Sequence, residues 1–495
     1  MKRDKVYAIG VVCIVGWMVM TYVLFTHQPP IFETKFTRSH RNKIDHESFS
    51  RLNQNIDRFS DRLRKQMSES NDLLADLIKI VDTQKSRKQE EEVKTEKTVT
   101  ERQEPENYVI PILMFACNRV SVTKAIDPLL KYRGQDPERK ARFPIIVSQV
   151  MFSMIYIESI FLDMIDDYIR IDCTIRIDLF LKDCGHAETA NKIRSYGDEI
   201  IFIQQPDQGE PQVPKAEKKF KGYFKIARHY GWALNQTFVG KFNYQQVIIV
   251  EDDLEVSPDF FEYFEATLPL LRRDPTLWCV SAWNDNGKKG LIDETRPDRL
   301  YRTDFFGGLG WMMTKDLWTK ELMQKWPKSY WDDWMRQPAQ RKNRACIRPE
   351  ISRTKTFGKV GVSNGLFFDK HLKFIVLNDN PVAFLQKDLT YLLKDKYDKD
   401  MSKLLAKLES VPVQNLKSFA VEHQNSDSSE NPISIKVIYK TKNEFKAAVK
   451  VLGIMDDFKS GVPRMAYKGV VSTFYRGIRV YLSPGLSWKN YIPTW

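Results

Sequence analysis

The chain has 495 residues, 42% of them apolar and 28% charged, and its 77 basic side chains outnumber 64 acidic ones to leave a net charge of +13. The length points to two or three domains, six cysteines exclude a disulfide-dense mini-scaffold, and the apolar fraction excludes wholesale disorder. The basic excess admits nucleic acid, an anionic membrane or a phosphorylated small molecule as partner and does not choose among them.

Residues 6–25, VYAIGVVCIVGWMVMTYVLF, hold no charge and are long enough to cross a bilayer core of about 30 Å. Lys2, Arg3 and Lys5 precede them against a single Asp4, so the positive-inside rule keeps the tail 1–5 cytoplasmic and sends the rest across. A cleaved signal peptide is the competing reading. The run exceeds the usual apolar region of such peptides and lacks a clear small-x-small exit, which favours an uncleaved type II signal anchor. Residues 26–107 form a neutral, charge-dense stem with 16 acidic and 16 basic residues. Within it Leu52, Ile56, Phe59, Leu63 and Met67 share one helical face. Ser70 and the surrounding charges interrupt that seam. They favour a marginal surface helix in a linker over the other reading, a stem that self-associates.

From 108 the text alternates between strand and helix. VIPILMFAC (109–117), FPIIVSQ (143–149), IIFIQQ (200–205) and QQVIIVEDD (245–253) read as strands, and KGYFKIARHYGWAL (221–234) reads as a helix. This spacing predicts βαβ units, an α/β fold with a mostly parallel central sheet over 108–378. A smaller α+β domain is expected over 379–495, where ISIKVIYK and GVVSTFYRGIRVYL alternate like strands.

The strand 245–253 ends in Glu251, Asp252 and Asp253. Ligands of open α/β sheets bind beyond the carboxyl ends of the strands, and clustered carboxylates there call for a cation. Hard oxygen ligands suit Mg²⁺ or Mn²⁺ shared with substrate phosphates; a solvated acidic turn would look the same. A second acidic pair lies in Trp331-Asp332-Asp333-Trp334. Neighbouring helical residues do not share a face, so at most one of these aspartates is expected to point into a pocket. Held between indole rings it would suit general-base work, whereas a plain helix N-terminus also favours Asp. Seven tryptophans fall between 278 and 334; most are expected in the core, with a minority able to stack on sugar faces. The sequence has no G-x-S-x-G, Walker or G-x-G-x-x-G motif, no zinc spacing among its cysteines, and no basic-aromatic interleaving for nucleic acid.

The long blocks VEDDLEVSPDFFEYFEATLPLLRRDPTLWCVSAWNDNG, LYRTDFFGGLGWMM, KWPKSYWDDWMR, RACIRPEISRTKTFGKVGVS and FFDKHLKF closely resemble the N-acetylglucosaminyltransferase I family. The resemblance spans roughly 108–149 and 183–495. It implies a GT-A fold, a single-pass type II Golgi membrane protein with a lumenal catalytic domain, and Mn²⁺-dependent, inverting transfer of GlcNAc. The donor would be UDP-GlcNAc, and the acceptor the 2-hydroxyl of the α1,3-arm mannose of a Man5 N-glycan on glycoproteins. By the same resemblance Arg119, Asp183, His229, Asp252 and Ser363 match donor contacts, Asp253 the Mn²⁺ ligand and Asp332 the catalytic base. Bridges Cys117–Cys184 and Cys279–Cys346 are implied, which leaves Cys13 in the membrane span and Cys173 over. The rivals are a protein O-mannose β1,2-GlcNAc transferase, whose extra stem domain has no room in 26–107, and an inactive Golgi glycan-binding or scaffold form.

Residues 150–182 depart from that family. These 33 residues contain eight isoleucines but no Gly, Pro, Ala, Asn or Gln, whereas a surface loop should be rich in turn formers. The segment reads as a retained in-frame intron or gene-model error from AT-rich DNA, against the alternative of a true isoform with an extra hairpin. Asp183 and Cys184 follow it directly, so weak activity is expected while it is present.

Overall fold

A computed structural model describes residues 108–150, 186–206, 209–359, 361, 365, 367–423 and 432–495. The expected membrane span 6–25, the stem 26–107, all but the first residue of the insertion, and Asp183, Cys184 and Ser363 lie outside them. Among the described residues no helix is long and apolar enough to cross a membrane.

Along the chain β1 (Ile112–Ala116), α1 (Thr123–Arg133), β2 (Ile145–Val150), α2 (Ala187–Arg194), β3 (Ile201–Gln205), α3 (Lys221–Phe238) and β4 (Gln246–Glu251) alternate as the sequence predicts. β1 and β4 are nearly continuous apolar runs, as strands covered on both faces require. Successive side chains point to opposite faces. Ile112, Met114, Ile248 and Val250 enter one core with Ile126 and Leu129 of α1; Leu113, Phe115, Val247 and Ile249 enter the other with Ala227, Tyr230 and Leu234 of α3.

After β4 come β5 (Leu254–Val256), α4 (Phe260–Arg273), β6 (Leu277–Ser281), β7 (Leu300–Thr303), β8 (Trp311–Thr314), the short helix α5 (Trp331–Met335), β9 (Ala345–Pro349) and β10 (Thr354–Thr356). The large sheet has eight strands in the order β3-β2-β1-β4-β8-β6-β9-β7. β3, β2, β1 and β4 are mutually parallel, as are β6 and β9. β8 runs antiparallel to β4 and β6, and β7 to β9, so the sheet is mixed on its far side. β5 and β10 form a separate antiparallel ribbon. The chain steps outward from β1 to β3 and then returns to β4 on β1's other flank. The strand order therefore reverses between β1 and β4, and ligands of such sheets bind at that reversal, beyond the carboxyl ends.

The remainder builds α6 (Lys394–Lys407), β11 (Glu409–Ser410), β12 (Ser434–Tyr439), α7 (Lys442–Leu452), the hairpin β13 (Phe458–Lys459) and β14 (Val462–Pro463), β15 (Val471–Tyr475) and β16 (Ile478–Pro484). α7 is bracketed by Thr441, whose hydroxyl accepts from Glu444 N, and by Gly453 at φ 77°. The second sheet runs β11-β12-β16-β15 over its own core. That core takes in Phe305, from just after β7, and resumes along the chain at Val411. Val382, Phe384, Leu389, Leu392 and Tyr397 instead pack into the large sheet's core, so the packing changes hands some 30 residues after position 379, where the α+β domain was expected to start. The two cores are tied by buried ion pairs: Arg479 of β16 meets Glu350 just past β9 at 2.7 Å, and Arg464 meets Asp285 at 3.0 Å.

Candidate active site

At the reversal between β1 and β4, Asp252 and Asp253 leave the end of β4 and Arg119 follows β1. Asp252 N donates to Phe115 O at 2.9 Å, and Cys117 N donates to Asp252 Oδ2 at 3.0 Å, which locks the two strand ends together. Arg119 Nη1 lies 2.5 Å from Asp252 Oδ1 and 2.8 Å from Asp253 Oδ2. Both aspartates are buried. Burial pushes the Asp253 carboxyl up to about 6, with Arg119 pulling it back and Asp252 adding to the rise. Burial, then the Asp253 charge, pushes Glu251 up to about 7, while the phenol of Tyr230 donates to it at 2.6 Å. A buried carboxylate edge with its charge only part-neutralised favours a cationic or polyanion-bridging ligand.

The segment after β10 closes over this edge. Phe357 N donates to Asp253 O at 2.9 Å. A Cβ on Gly358 would fall 2.0 Å from Asp253 Oδ2, and one on Gly361 would fall 3.2 Å from Arg119 Nη2. Glycine at 358 is thus what lets the backbone approach the carboxylate. The donor set is hard oxygen. Among the described residues no group of three or more His, Cys, Asp or Glu forms a metal cage. The carboxylates of Asp252 and Asp253 are the hard oxygen donors that suit an ion completing its shell from substrate phosphates.

A ladder of rings connects this edge to α5. Tyr230 stacks on Phe115 at 3.7 Å and on Trp331 at 4.3 Å. The Tyr230 phenol is held well above its usual range by burial, then by Glu251, Asp253 and Asp332. The charges of Asp253 and Asp332 thus both reach Tyr230, whose ring stacks on Phe115 of β1 and on Trp331 of α5. Asp332 does not sit between indoles, as expected from its neighbours. Trp331 is buried against Tyr230 and Trp334 packs on Trp326 at 5.8 Å, while the Asp332 side chain is 41% exposed. Nor do the adjacent aspartates part company: Arg336 Nη1 donates to Asp332 Oδ2 at 2.6 Å and to Asp333 Oδ1 at 2.9 Å. A one-turn helix is short enough for both carboxylates to fold back onto the residue one turn on. Partial burial opposes the charge on Asp333, but Arg336 and Lys459 outweigh it and hold this carboxyl below its usual range.

Beside Asp332, Tyr330 stands at φ 49°, a left-handed conformation costly for a bulky residue, and stacks on Tyr223 of α3 at 4.6 Å. Exposed Phe220 continues the patch 6.4 Å from Tyr223. Glu251 belongs to the acidic strand end read from the sequence, whereas no motif there singles out Tyr223, Tyr230, Tyr330 or Gly358. His229 lies beneath the site, buried, with Nε2 2.8 Å from Ser148 Oγ. Cys279 and Cys346 form a disulfide between paired positions of β6 and β9, and Cys117 is disulfide-bonded as well. Five of the seven clustered tryptophans (278, 283, 311, 318 and 331) are core residues, as expected.

The GNT-I family profile matches residues 9–153 and 175–495, and the chain belongs to that family. The match leaves out 154–174, inside the atypical insertion. An Arabidopsis thaliana relative, named alpha-1,3-mannosyl-glycoprotein 2-beta-N-acetylglucosaminyltransferase, is 43% identical over 294 residues, which span 59% of this chain and 63% of the relative. Among solved structures, S. aureus TarS 1–349 in complex with UDP-GlcNAc has a TM-score of 0.28 and 11% identity over 70% of this chain and 72% of its own. The Pyrobaculum calidifontis mannosyltransferase PcManGT, with GDP-Man and Mn²⁺, has a TM-score of 0.25 and 11% identity over 44% and 48%. Likenesses of that size support no argument.

Proposed function

We propose that this protein is a GT-A transferase that moves GlcNAc from UDP-GlcNAc to the 2-hydroxyl of the α1,3-arm mannose of a Man5 N-glycan, with inversion. The family membership and the relative's name support the reaction. The observation that carries the mechanism is that one buried tyrosine, Tyr230, feels the charges of both Asp253 and Asp332 while its ring stacks from β1 to α5.

Arg119, Asp252 and Asp253 receive the donor at the strand reversal, with Asp183, Ser363 and the His229 helix completing its surroundings. Asp253 would hold Mn²⁺, which when bound neutralises the leaving diphosphate. Asp332 Oδ2 is tied to Arg336, and the carboxylate's exposed face takes the proton of the mannose 2-hydroxyl. The mannose oxygen then bonds to the anomeric carbon as the bond to UDP breaks on the opposite face, so the centre inverts and no enzyme nucleophile is required. The Tyr223, Tyr330 and Phe220 surface offers ring faces to the acceptor's sugars. In this reading residues 6–25 anchor the chain in the Golgi membrane with the transferase domain lumenal.

The test is transfer to Man5 glycan from UDP-GlcNAc with Mn²⁺ by wild type and Asp332→Asn. Loss of a general base predicts a fall in kcat of about 10²-fold or more, with UDP-GlcNAc binding unchanged. Undiminished turnover would remove Asp332 from the base role. Transfer to an O-mannosyl peptide in place of Man5 would overturn the acceptor assignment.

A further inference from the structure

Asp333 has no part in the proton transfer, yet through it the C-terminal sheet's lobe touches the base helix. Both Nη1 hydrogens of Arg336 are committed, one to Asp332 and one to Asp333. Its Nε donates to Phe306 O at 3.1 Å and its guanidinium lies over the Phe305 ring, so the plane of the fork is fixed. Lys459, in the hairpin β13–β14, donates to Asp333 Oδ2 at 3.0 Å. Two carboxylates on consecutive residues thus share one arginine, and a lysine from 126 residues away anchors one of them.

We infer that Lys459 is a positioning residue for Asp332: by holding Asp333 it fixes how Arg336 divides its grip, and so ties the orientation and charge of the base to the C-terminal lobe. The inference rests on Asp332 being the base. Without Lys459, Asp333 keeps, among the described residues, only Arg336 as its cation and draws it away from Asp332. The carboxylate then loses its fixed rotamer and gains net negative surroundings. Among the described residues the groups that reach Asp332 are Arg336 and Asp333 beside it, Tyr223 and Tyr230 from α3, and Lys459 at one remove. Lysine and aspartate are the two charges that can be changed without altering the base or the arginine, and they act with opposite sign.

The experiment measures kcat, donor KM and the pH profile of kcat/KM for Lys459→Met, Lys459→Arg, Asp333→Asn and Asp332→Asn, in the full chain and in the protein without 150–182. Lys459→Met should lower kcat about tenfold or more, leave donor KM in place, and move the acid limb to higher pH, since removing a cation makes the base harder to ionise. Lys459→Arg should restore both. Asp333→Asn should move the acid limb the other way. A Lys459→Met variant with unchanged kcat and acid limb, beside an inactive Asp332→Asn, overturns this inference and leaves the base reading standing. A fall in kcat with an unmoved acid limb makes Lys459 a merely structural contact and overturns it too. Full activity in Asp332→Asn removes the base, and this role with it.

Discussion

His229 shows why a residue matched to a donor contact need not be a titrating one. Its ring shares a hydrogen bond with Ser148 Oγ and meets Phe115 edge-on at 5.1 Å, inside the sheet's second core. Burial pushes it down to about 3 from an ordinary value of 6.5. It therefore stays neutral in the folded protein at any ordinary pH and helps fix α3 beneath β2. The unfolded chain takes up a proton near pH 6.5 that the folded chain refuses until about 3, so stability through this group is complete above 6.5 and drains away as the pH falls through that window. The slope is at most about 1.4 kcal/mol per pH unit. Urea unfolding of wild type and His229→Gln at steps from neutral pH to about 5 should show the wild type losing stability more steeply. Parallel losses would mean that the imidazole is charged in the folded state.

At the scale of elements, the disulfide Cys279–Cys346 joins neighbouring parallel strands at paired positions, with Cα atoms 4.6 Å apart. It closes a 67-residue loop that contains β7, β8 and α5, the part of the sheet that carries the base helix. A link of that span is worth about 2–4 kcal/mol. The Cys279→Ala/Cys346→Ala protein should unfold at correspondingly lower urea concentration, and a loss under about 1 kcal/mol would show that the strands keep their register unaided. The other half of the sheet was the legible half. β1, β2, β3 and β4 are apolar, β-branched runs bounded by polar text, so the sequence locates them to within three residues, and the carboxylates at the end of β4 with them. From 277 to 349 tryptophan, phenylalanine and methionine crowd strands and turns alike, the period is lost, and neither the antiparallel pairings nor the course of α5 can be read. Contacts such as Tyr230 to Glu251 and Lys459 to Asp333 are made by topology between distant segments, and no local pattern announces them.

At the scale of the molecule, the insertion enters at the most sensitive edge. β2 is parallel to β1 and β4, so Val150 ends on the side that carries Arg119, Asp252 and Asp253. The residues flanking the insertion are stitched to one another and to the site. Gln149 Nε2 donates to Cys117 O at 2.8 Å and to His186 O at 3.3 Å, which brings the end of β2 to the start of α2. Two points that close can be joined by three residues, Asp183, Cys184 and Gly185, and that is what deleting 150–182 leaves between Gln149 and His186. The deletion therefore asks for no rearrangement of the sheet, whereas its presence puts 33 apolar-rich residues directly ahead of a proposed donor contact and a cysteine. The protein without 150–182 should bind UDP-GlcNAc and turn over Man5 glycan, and the full chain should do both weakly. The test is donor affinity and transfer rate of the two forms side by side, with transcripts sequenced across the junction. Equal turnover would show that the edge tolerates the segment, and abundant transcripts encoding it would establish a true isoform instead of a retained intron.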